Sequence, residues 1–517
     1  MQQLWQSKIY NYGFLMTSID NSDFVCQRFD FSKWKKVNVS GYLFLVHSAQ
    51  SISVYQNEND YYVLIGHAYN PFSNEIDEKV ILNKLSSINN ENDYRNYFDQ
   101  LTGIFAYFVI KEGKIISTSD CSGIYPVYYC KDNNEIYYSS YSQLIADILS
   151  FKESDYVKSM KRSKLFHFYG WFLPGDLSPY NEVKRIIPNT EIVYNGDFSC
   201  VRFYPRKEYK PILDSEYNSA IEYISELLQN NLKLISEKWN NPAISLTGGV
   251  DSQTTLASAK KVQNKFSYYS YISLPREKTD ALAAEKICND KNLNHRIFEI
   301  ECDKSKLSDF DDVDSIVERH YSYLGHGNEN DICKRICLSE DFNYDIEVKS
   351  WVSEVYRASR YKMYGKTSFP KEVTPRMLTT MYKVFLFDRK SAKSTDDYFD
   401  DYLINTSLKN CLKRFNYPWT EFFVWEIVFG GWGSLSLVGE HFLSNNITIP
   451  YNNRAILDFL MRMPLSKRIS DELNFDLIKY MDRDLYDLHI HIINGNETKV
   501  REFAEKSYYR VHSLLPF

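Results

Sequence analysis

The chain has 517 residues, more than a single core usually supports, so two domains of about 200 to 300 residues are expected. Hydrophobic residues make up 44% and charged residues 25%, an ordinary globular balance, and the net charge of −6 argues against a nucleic-acid surface built on bulk electrostatics. Nine scattered cysteines without a Cys-x-x-Cys pair predict reduced, mostly buried thiols and a cytoplasmic setting, and residues 1–10 lack the apolar core of a signal peptide.

In chain order, short apolar or alternating runs at 42–46, 61–65, 104–110, 114–118, 126–130 and 135–139 predict strands. Lys111-Glu112-Gly113 and Asp132-Asn133-Asn134 have the composition of hairpin turns, so this half reads as antiparallel sheet. A helix over 143–149 follows, then a β-rich portion over 183–203 with Asn195-Gly196 as a hairpin signal. The segment 204–211 reads as a linker, which divides the chain into domains at 1–210 and 211–517. Beyond it, apolar residues at helical spacing predict a long amphipathic helix over 214–238. A strand at 243–246 and its helix, a strand at 266–274, a helix at 280–291 and a strand at 296–300 then imply a parallel sheet that binds ligand at the carboxyl ends of its strands. The remainder from Phe310 reads as mainly helical. The most apolar stretch, 422–443, is interrupted by Glu426, Gly430, Gly431, Gly433 and Glu440, which predicts a buried helix pair and no membrane span.

The most informative residues are Leu246-Thr247-Gly248-Gly249-Val250-Asp251-Ser252, between the strand at 243–246 and a helix. Two glycines let the backbone turn tightly and present successive N–H groups, Thr247 and Ser252 add hydroxyls, and a helix start attracts phosphate oxygens. A carboxylate in such a loop, Asp251, makes sense when it holds Mg²⁺ against the phosphates. Gly365-Lys366-Thr367 ends like a phosphate loop, but Arg360 stands where glycine is needed, so an exposed turn is expected there. His489-x-His491 lacks a third ligand at metal spacing, which speaks against zinc.

The loop at Leu246 resembles the pyrophosphatase loop of enzymes that split ATP into AMP and pyrophosphate, and the whole chain resembles the asparagine-synthetase superfamily. In the amino-terminal half, Leu101-Thr102-Gly103-Ile104-Phe105-Ala106 and Asp120-Cys121-Ser122-Gly123-Ile124-Tyr125-Pro126-Val127-Tyr128-Tyr129 are similar to family segments. So are Leu173-Pro174-Gly175 and Ile186-Ile187-Pro188-Asn189, with Asn189 where glycine is usual. The resemblance implies an α/β fold in two parts. The first is an Ntn-hydrolase-like, antiparallel β-rich glutaminase-type domain, and the second an adenine-nucleotide α-hydrolase-like parallel α/β domain with a helical carboxyl-terminal part.

Three departures matter. Glutamine-using members carry cysteine directly after the initiator methionine; Gln2 stands there, so no glutaminase activity is expected, and Cys26, without a free amino group, reads as a packed thiol. This arrangement resembles β-lactam synthetases, carbapenam synthetases and lasso-peptide cyclases, whose amidase domain is kept as a scaffold. Secondly, Lys349-Ser350-Trp351-Val352-Ser353-Glu354-Val355-Tyr356-Arg357 stands where the family has Gly-x-Gly-x-Asp-Glu, with Ser353 in place of the aspartate. Glu354 is then the second metal ligand on a reshaped loop, or the site has lost a ligand, or Glu354 is a helix-surface residue paired with Arg357. Thirdly, the family's acceptor-pocket pattern survives only as Gly430-Gly431-Trp432 and Ile449-Pro450-Tyr451-Asn452-Asn453-Arg454, which argues against aspartate as substrate.

The resemblance implies an ATP-dependent, AMP-forming ligase that adenylates a substrate carboxylate and joins it to an amine. Leu246, Thr247, Gly248, Gly249, Asp251 and Ser252 would hold the phosphates, and Ile272 and Ser273 would meet adenine or ribose through the backbone. Asp251 and Glu354 would hold Mg²⁺, with Glu354, Arg357 and Lys499 as catalytic candidates. The expected partners are a small carboxylate and an amine, with no nucleic acid and no membrane; a homodimer is compatible with this reading. Two alternatives stay open: an ammonia-dependent amidotransferase and a degenerate nucleotide-binding regulator or scaffold.

Overall fold

The computed structural model describes residues 5–162, 166, 172–325, 328–382, 389–490 and 507. The amino-terminal half is built from two antiparallel six-stranded sheets. One has the order β10-β8-β9-β1-β3-β2, from β1 (Phe14–Ser18), β2 (Trp34–Val39), β3 (Tyr42–His47), β8 (Tyr128–Asp132), β9 (Glu135–Ser139) and β10 (Lys184–Arg185). The other has the order β12-β11-β7-β6-β5-β4, from β4 (Ile52–Asn57), β5 (Asp60–Tyr69), β6 (Thr102–Lys111), β7 (Lys114–Ser119), β11 (Thr190–Asn195) and β12 (Asp197–Arg202). Phe14 of β1 and Phe44 of β3 meet Phe108 of β6 edge to face at 5.8 and 5.6 Å, so the two sheets share one aromatic core.

Three of these strands escape the alternation rule for physical reasons. β1 is buried along almost its whole length and reads as a continuous apolar run, whereas β2 and β4 lie at sheet edges and carry polar or half-exposed residues.

The carboxyl-terminal half holds a five-stranded, all-parallel sheet with the order β15-β14-β13-β16-β17. Its strands are β13 (Pro242–Ser245), β14 (Ser267–Ile272), β15 (His295–Glu299), β16 (Ile346–Val348) and β17 (Ile447–Thr448). The chain therefore builds outward from β13 to β15, then returns to the opposite edge of β13 through the helices Phe310–His320 and Glu329–Asp341. The fold class is thus mixed α/β, with antiparallel sheets first and a parallel sheet second. The helix after β14 begins at Pro275, five residues before its expected start. Proline is at home in a first helical turn, and the Glu277 carboxylate accepts from the Ser273 and Leu274 amides at 2.7 and 3.0 Å, which fixes that beginning.

The expected helix pair at 422–443 is one helix instead, Trp419–Ser444, with π-type turns over Phe423–Gly433 and Leu437–His441. By length and composition it could cross a membrane, but 89% of its most apolar window is buried inside the protein. The glycines do not break it, because they are where the amino-terminal half comes closest: a Cβ on Gly430 would lie 2.7 Å from the Arg185 guanidinium and 3.0 Å from Pro188. Its buried Glu426 is fully engaged, accepting from Arg202 at 2.6 and 2.9 Å, Tyr402 at 2.6 Å and Asn189 at 3.0 Å.

The segments that resemble family motifs in the amino-terminal half form the seam between the halves. Asp120, wholly buried, accepts from the amides of Ser122, Ile124 and Tyr125 at 3.2, 3.0 and 2.8 Å and so shapes the turn in which Gly123 adopts a φ of +63°. Asn452 reaches across from the other half, donating to Asp120 at 2.8 Å and to the Gly103 carbonyl at 2.7 Å and accepting from the Ser122 amide at 3.0 Å. Burial raises the Asp120 carboxyl to about 6, against the lowering effect of Asn452 and the three amides. Because this value lies above the ordinary aspartate range, ionisation costs folded-state stability as pH rises toward and through 6. Asn452→Ala removes a donor to the ionised form, so the deficit should be about 1–3 kcal/mol at pH 8 and smaller at pH 5. Denaturant unfolding at the two pH values checks this.

Candidate functional site

β13 and β16 are neighbouring parallel strands, so the loops that follow them leave the same end of the sheet side by side. After β13 comes the loop of Leu246 to Ser252, then the helix Val250–Ser258. Its N-cap is Gly249, and no side chain caps the helix start. Gly249 has a φ of −75°, so the left-handed turn expected of a glycine loop is not used there. Space explains the residue instead, since a Cβ would sit 3.2 Å from Thr247 Oγ1.

The loop is braced from within. The Ser252 hydroxyl donates to the carbonyls of Thr247 and Gly249 at 2.9 and 3.0 Å and lies 2.9 Å from Thr247 Oγ1, which places it as a strut beneath the turn. Gln253 Nε2 donates to the Gly248 carbonyl at 2.9 Å and to the Ile490 carbonyl at 2.6 Å. The Gly248 amide donates to Asp280. Leu246 is buried and Thr247 exposed. Ile272 and Ser273 close the neighbouring strand, where the Ile272 carbonyl accepts from Ile300 at 3.0 Å and the Ser273 amide is held by Glu277.

After β16 the chain makes a tight turn, with Ser353–Val355 as a single 3₁₀ turn. Although glycine is missing, the backbone still uses left-handed conformations on either side, at Val352 (φ +74°) and Ala358 (φ +51°). Such conformations cost a non-glycine residue about 1–3 kcal/mol, and both residues are held by burial. The turn brings the second loop onto the first. Ser353 Oγ donates to Asp251 Oδ1 at 2.8 Å, Thr255 Oγ1 and Ser350 Oγ lie 2.8 Å apart, and Arg357 Nη1 donates to Asp251 Oδ2. Arg357 also donates through Nε to Asp471 at 2.9 Å, and Lys362 Nζ reaches the same carboxylate at 2.5 Å. Arg357 therefore pairs with Asp251 and Asp471, and the expected ion pair between Glu354 and Arg357 is replaced by these.

Glu354 lies against this cluster. Its Oε2 is buried without a hydrogen-bond partner, and its carboxyl is raised to about 7 by burial first and by the charge of Asp251 second. Asp251 is raised as well, by burial, against the lowering effects of Arg357 and Ser353. The orphaned Glu354 Oε2 and the neighbouring Asp251 carboxylate are oxygen donors of the kind a hard divalent cation takes, and because Ser353 and Arg357 already engage both Asp251 oxygens, a cation would have to share or displace those contacts. Asp251 and Glu354 would hold it. Among the described residues no cluster of three or more His, Cys, Asp or Glu forms a metal site by itself, so further ligands would have to come from phosphate or water.

Sequence reasoning did not find Asp471, Lys362 or Gln253. Asp471 sits in a left-handed conformation (φ +61°) at the start of the helix Glu472–Met481, far along the chain from the loop, and only the tertiary packing of that helix against Val250–Ser258 brings it near. Asn452, Asn453 and Arg454, read from sequence as remnants of an acceptor pocket, bond instead to Asp120, Thr102 and Asp99 of the amino-terminal half. Lys499 and Gln2 lie outside the described residues.

No protein-family model matches the chain, and no curated protein matches it. Among solved structures it is similar to glutamine phosphoribosylpyrophosphate amidotransferase from B. subtilis complexed with ADP and GMP, at 11% identity and a TM-score of 0.24, over 57% of this chain and 61% of that one. It is similar to NH3-dependent NAD synthetase from Campylobacter jejuni at 14% identity and a TM-score of 0.18, over 40% of this chain and 80% of that one. For glutamine-dependent NAD+ synthetase from Acinetobacter baumannii in complex with ADP the values are 11% and 0.20, over 48% and 60%. The chain thus spans about six-tenths of the length of the first and third of these proteins. These are distant likenesses, and they assign no family.

The titration of Glu354 gives a direct check on the cluster. Its folded-state value lies above the ordinary glutamate range, so the cost of ionising it is absent in acid, sets in above about pH 4.5 and is complete above pH 7. Glu354→Gln removes that cost. The variant should be more stable than the parent by about 1–3 kcal/mol at pH 8, with the advantage shrinking toward pH 5, in denaturant unfolding without nucleotide or metal.

Proposed function

We propose that the protein is an ATP-dependent, AMP-forming ligase that activates a substrate carboxylate and passes it to an amine, with no glutaminase activity. The observation that carries the reading is the meeting of Asp251 and Glu354 beside an uncapped helix start, at the carboxyl ends of adjacent parallel strands. The amides at the start of Val250–Ser258 and the Thr247 hydroxyl would grip the β- and γ-phosphates, while Ser252 and Gln253 keep the loop in shape. Mg²⁺ bound by Asp251 and Glu354 would supply charge neutralisation for the pyrophosphate leaving group.

The chain's own contribution is mostly positioning. Ser353 and Arg357 hold Asp251 in one orientation, and Asp471 holds Arg357 in turn. Ser353 therefore orients the first carboxylate by donating to it and adds no third negative charge to the cluster. In-line attack by the substrate carboxylate on the α-phosphorus then needs orientation more than proton transfer, and positioning of this kind is worth on the order of 7–11 kcal/mol.

With Mg²⁺, ATP and a mixed extract of small metabolites, the purified protein should release AMP and pyrophosphate rather than ADP and phosphate. Asp251→Ala should lower that release by about 10²-fold or more. Equal release from Asp251→Ala, or products of the ADP type, would contradict the proposal; tight ATP binding without any turnover would favour the regulatory reading.

A further inference from the structure

A second cavity, of about 720 Å³, opens on the far side of the helix that follows the Glu354 turn, between Ser359–Tyr364, Leu408–Phe415, the start of Trp419–Ser444 and Leu465–Ile469. Its size lies in the range of small-molecule sites. Its walls are aromatic and held rigidly. Phe369 packs edge to face against Tyr361 at 5.0 Å and against Trp419 at 5.7 Å, Trp419 Nε1 donates to the Pro370 carbonyl at 2.9 Å, and Tyr417 donates to Asp458 at 2.5 Å. These hydrogen bonds satisfy the polar tips of Trp419 and Tyr417, side chains that are almost wholly packed into the wall, and Phe369 and Pro370 present the more exposed apolar surface to the cavity.

The rim has the opposite character. The helix Leu408–Phe415 is strongly amphipathic: Leu408 and Leu412 are buried, whereas Lys409 and Lys413, one turn apart, are exposed, and Lys371 faces the same opening from the 369–373 segment. Three rim lysines stand against one carboxylate, Glu372, and that glutamate's pairing with Lys413 at 3.3 Å is solvent-exposed and weak. Inside, the guanidinium of Arg468 lines the cavity; its Nη1 is shared between the Tyr356 carbonyl and Glu421, both at 3.0 Å, and its Nε donates to the Met463 carbonyl. Arg468 thus joins the cavity wall to the backbone two residues from Glu354.

We propose that this cavity is a binding site for a small amphiphilic carboxylate, with its aryl or alkyl body against Tyr361, Phe369, Tyr417 and Trp419 and its charge at the Lys371–Lys409–Lys413 rim. Aromatic walls with a cationic rim select an apolar anion over both a neutral apolar molecule and a small polar anion, because each of the others forgoes half of the complementarity. The site needs neither ATP nor metal, and it stands whether or not the ligase reading does.

Trp419 in the wall reports on occupancy. Indole-free probes, 4-phenylbutyrate and its neutral amide 4-phenylbutanamide, are titrated into the full-length protein without nucleotide, followed by Trp fluorescence and calorimetry. The acid should bind saturably and about tenfold or more tighter than the amide. K409E/K413E, which changes only exposed side chains, should weaken the acid about tenfold or more while leaving the amide and the unfolding midpoint unchanged. Equal affinity of acid and amide, an unaltered acid affinity in K409E/K413E, or no saturable binding of either probe would overturn the proposal. Pyrophosphate release by the same preparation is scored separately, so loss of one result does not entail loss of the other.

Discussion

Strand β16 pairs with β13, and this single adjacency fixes where chemistry can occur. Had the chain continued outward from β15, the loop after β13 would have faced only its own helix. By returning to the other side of β13, it sets a second loop against the first. Everything at the candidate site follows from that placement. Ser353 meets Asp251, Arg357 is drawn between Asp251 and Asp471, and Glu354 is pressed beside a carboxylate it repels. A buried pair of like charges is unfavourable unless something answers it, and here the apparent answer within the chain, Arg357 with Lys362, serves Asp251 and Asp471 and leaves Glu354 Oε2 unpartnered.

The two halves of the chain are joined by polar groups buried at the seam. Asp120, Asn452 and Glu426 are buried, the side chain of Arg202 is covered, and each is hydrogen-bonded across it. Such groups contribute little net stability when paired, but they are costly when mispaired, so they specify one arrangement of the halves. The helix Trp419–Ser444 shows the consequence: its apolar length is spent inside the protein, and the glutamate that interrupts it is the anchor for Arg202, Tyr402 and Asn189. The 449–454 segment, which follows β17, is held to the amino-terminal half by Asn452, Asn453 and Arg454.

Much of this was legible in the sequence, and the limits are physical. Local chemistry marked β3, β5 to β9 and the Asn195-Gly196 hairpin, because short apolar or alternating runs bounded by turn residues read as strands and tight turns need particular residues. The loop at Leu246 was legible for the same reason, since Gly-Gly, Asp and Ser in succession before a helix have few other uses. Asp251 and Glu354 could be singled out as a pair only through resemblance. Their actual partners could not be read, because the sequence does not select one acid for Arg357, and Asp471 is more than a hundred residues away in sequence. The roles of Asn452 and Arg454 were obscured in the same way: a segment beside a site and a segment at a domain seam have similar polar compositions. The turn at 349–357 is instructive in the other direction. Its missing glycines suggested a reshaped loop or a lost ligand, and Val352 and Ala358 adopt left-handed conformations themselves, held there by burial.

The central claim is that the loops after β13 and β16 form one nucleotide site. Hydrogen–deuterium exchange of the full-length protein, with and without ATP and Mg²⁺, tests it most directly. The account predicts that segments 246–258 and 349–358 gain protection together, and that Asp251→Ala removes the gain from both. Protection confined to one of the two segments, or to neither while ATP binds elsewhere, would contradict it.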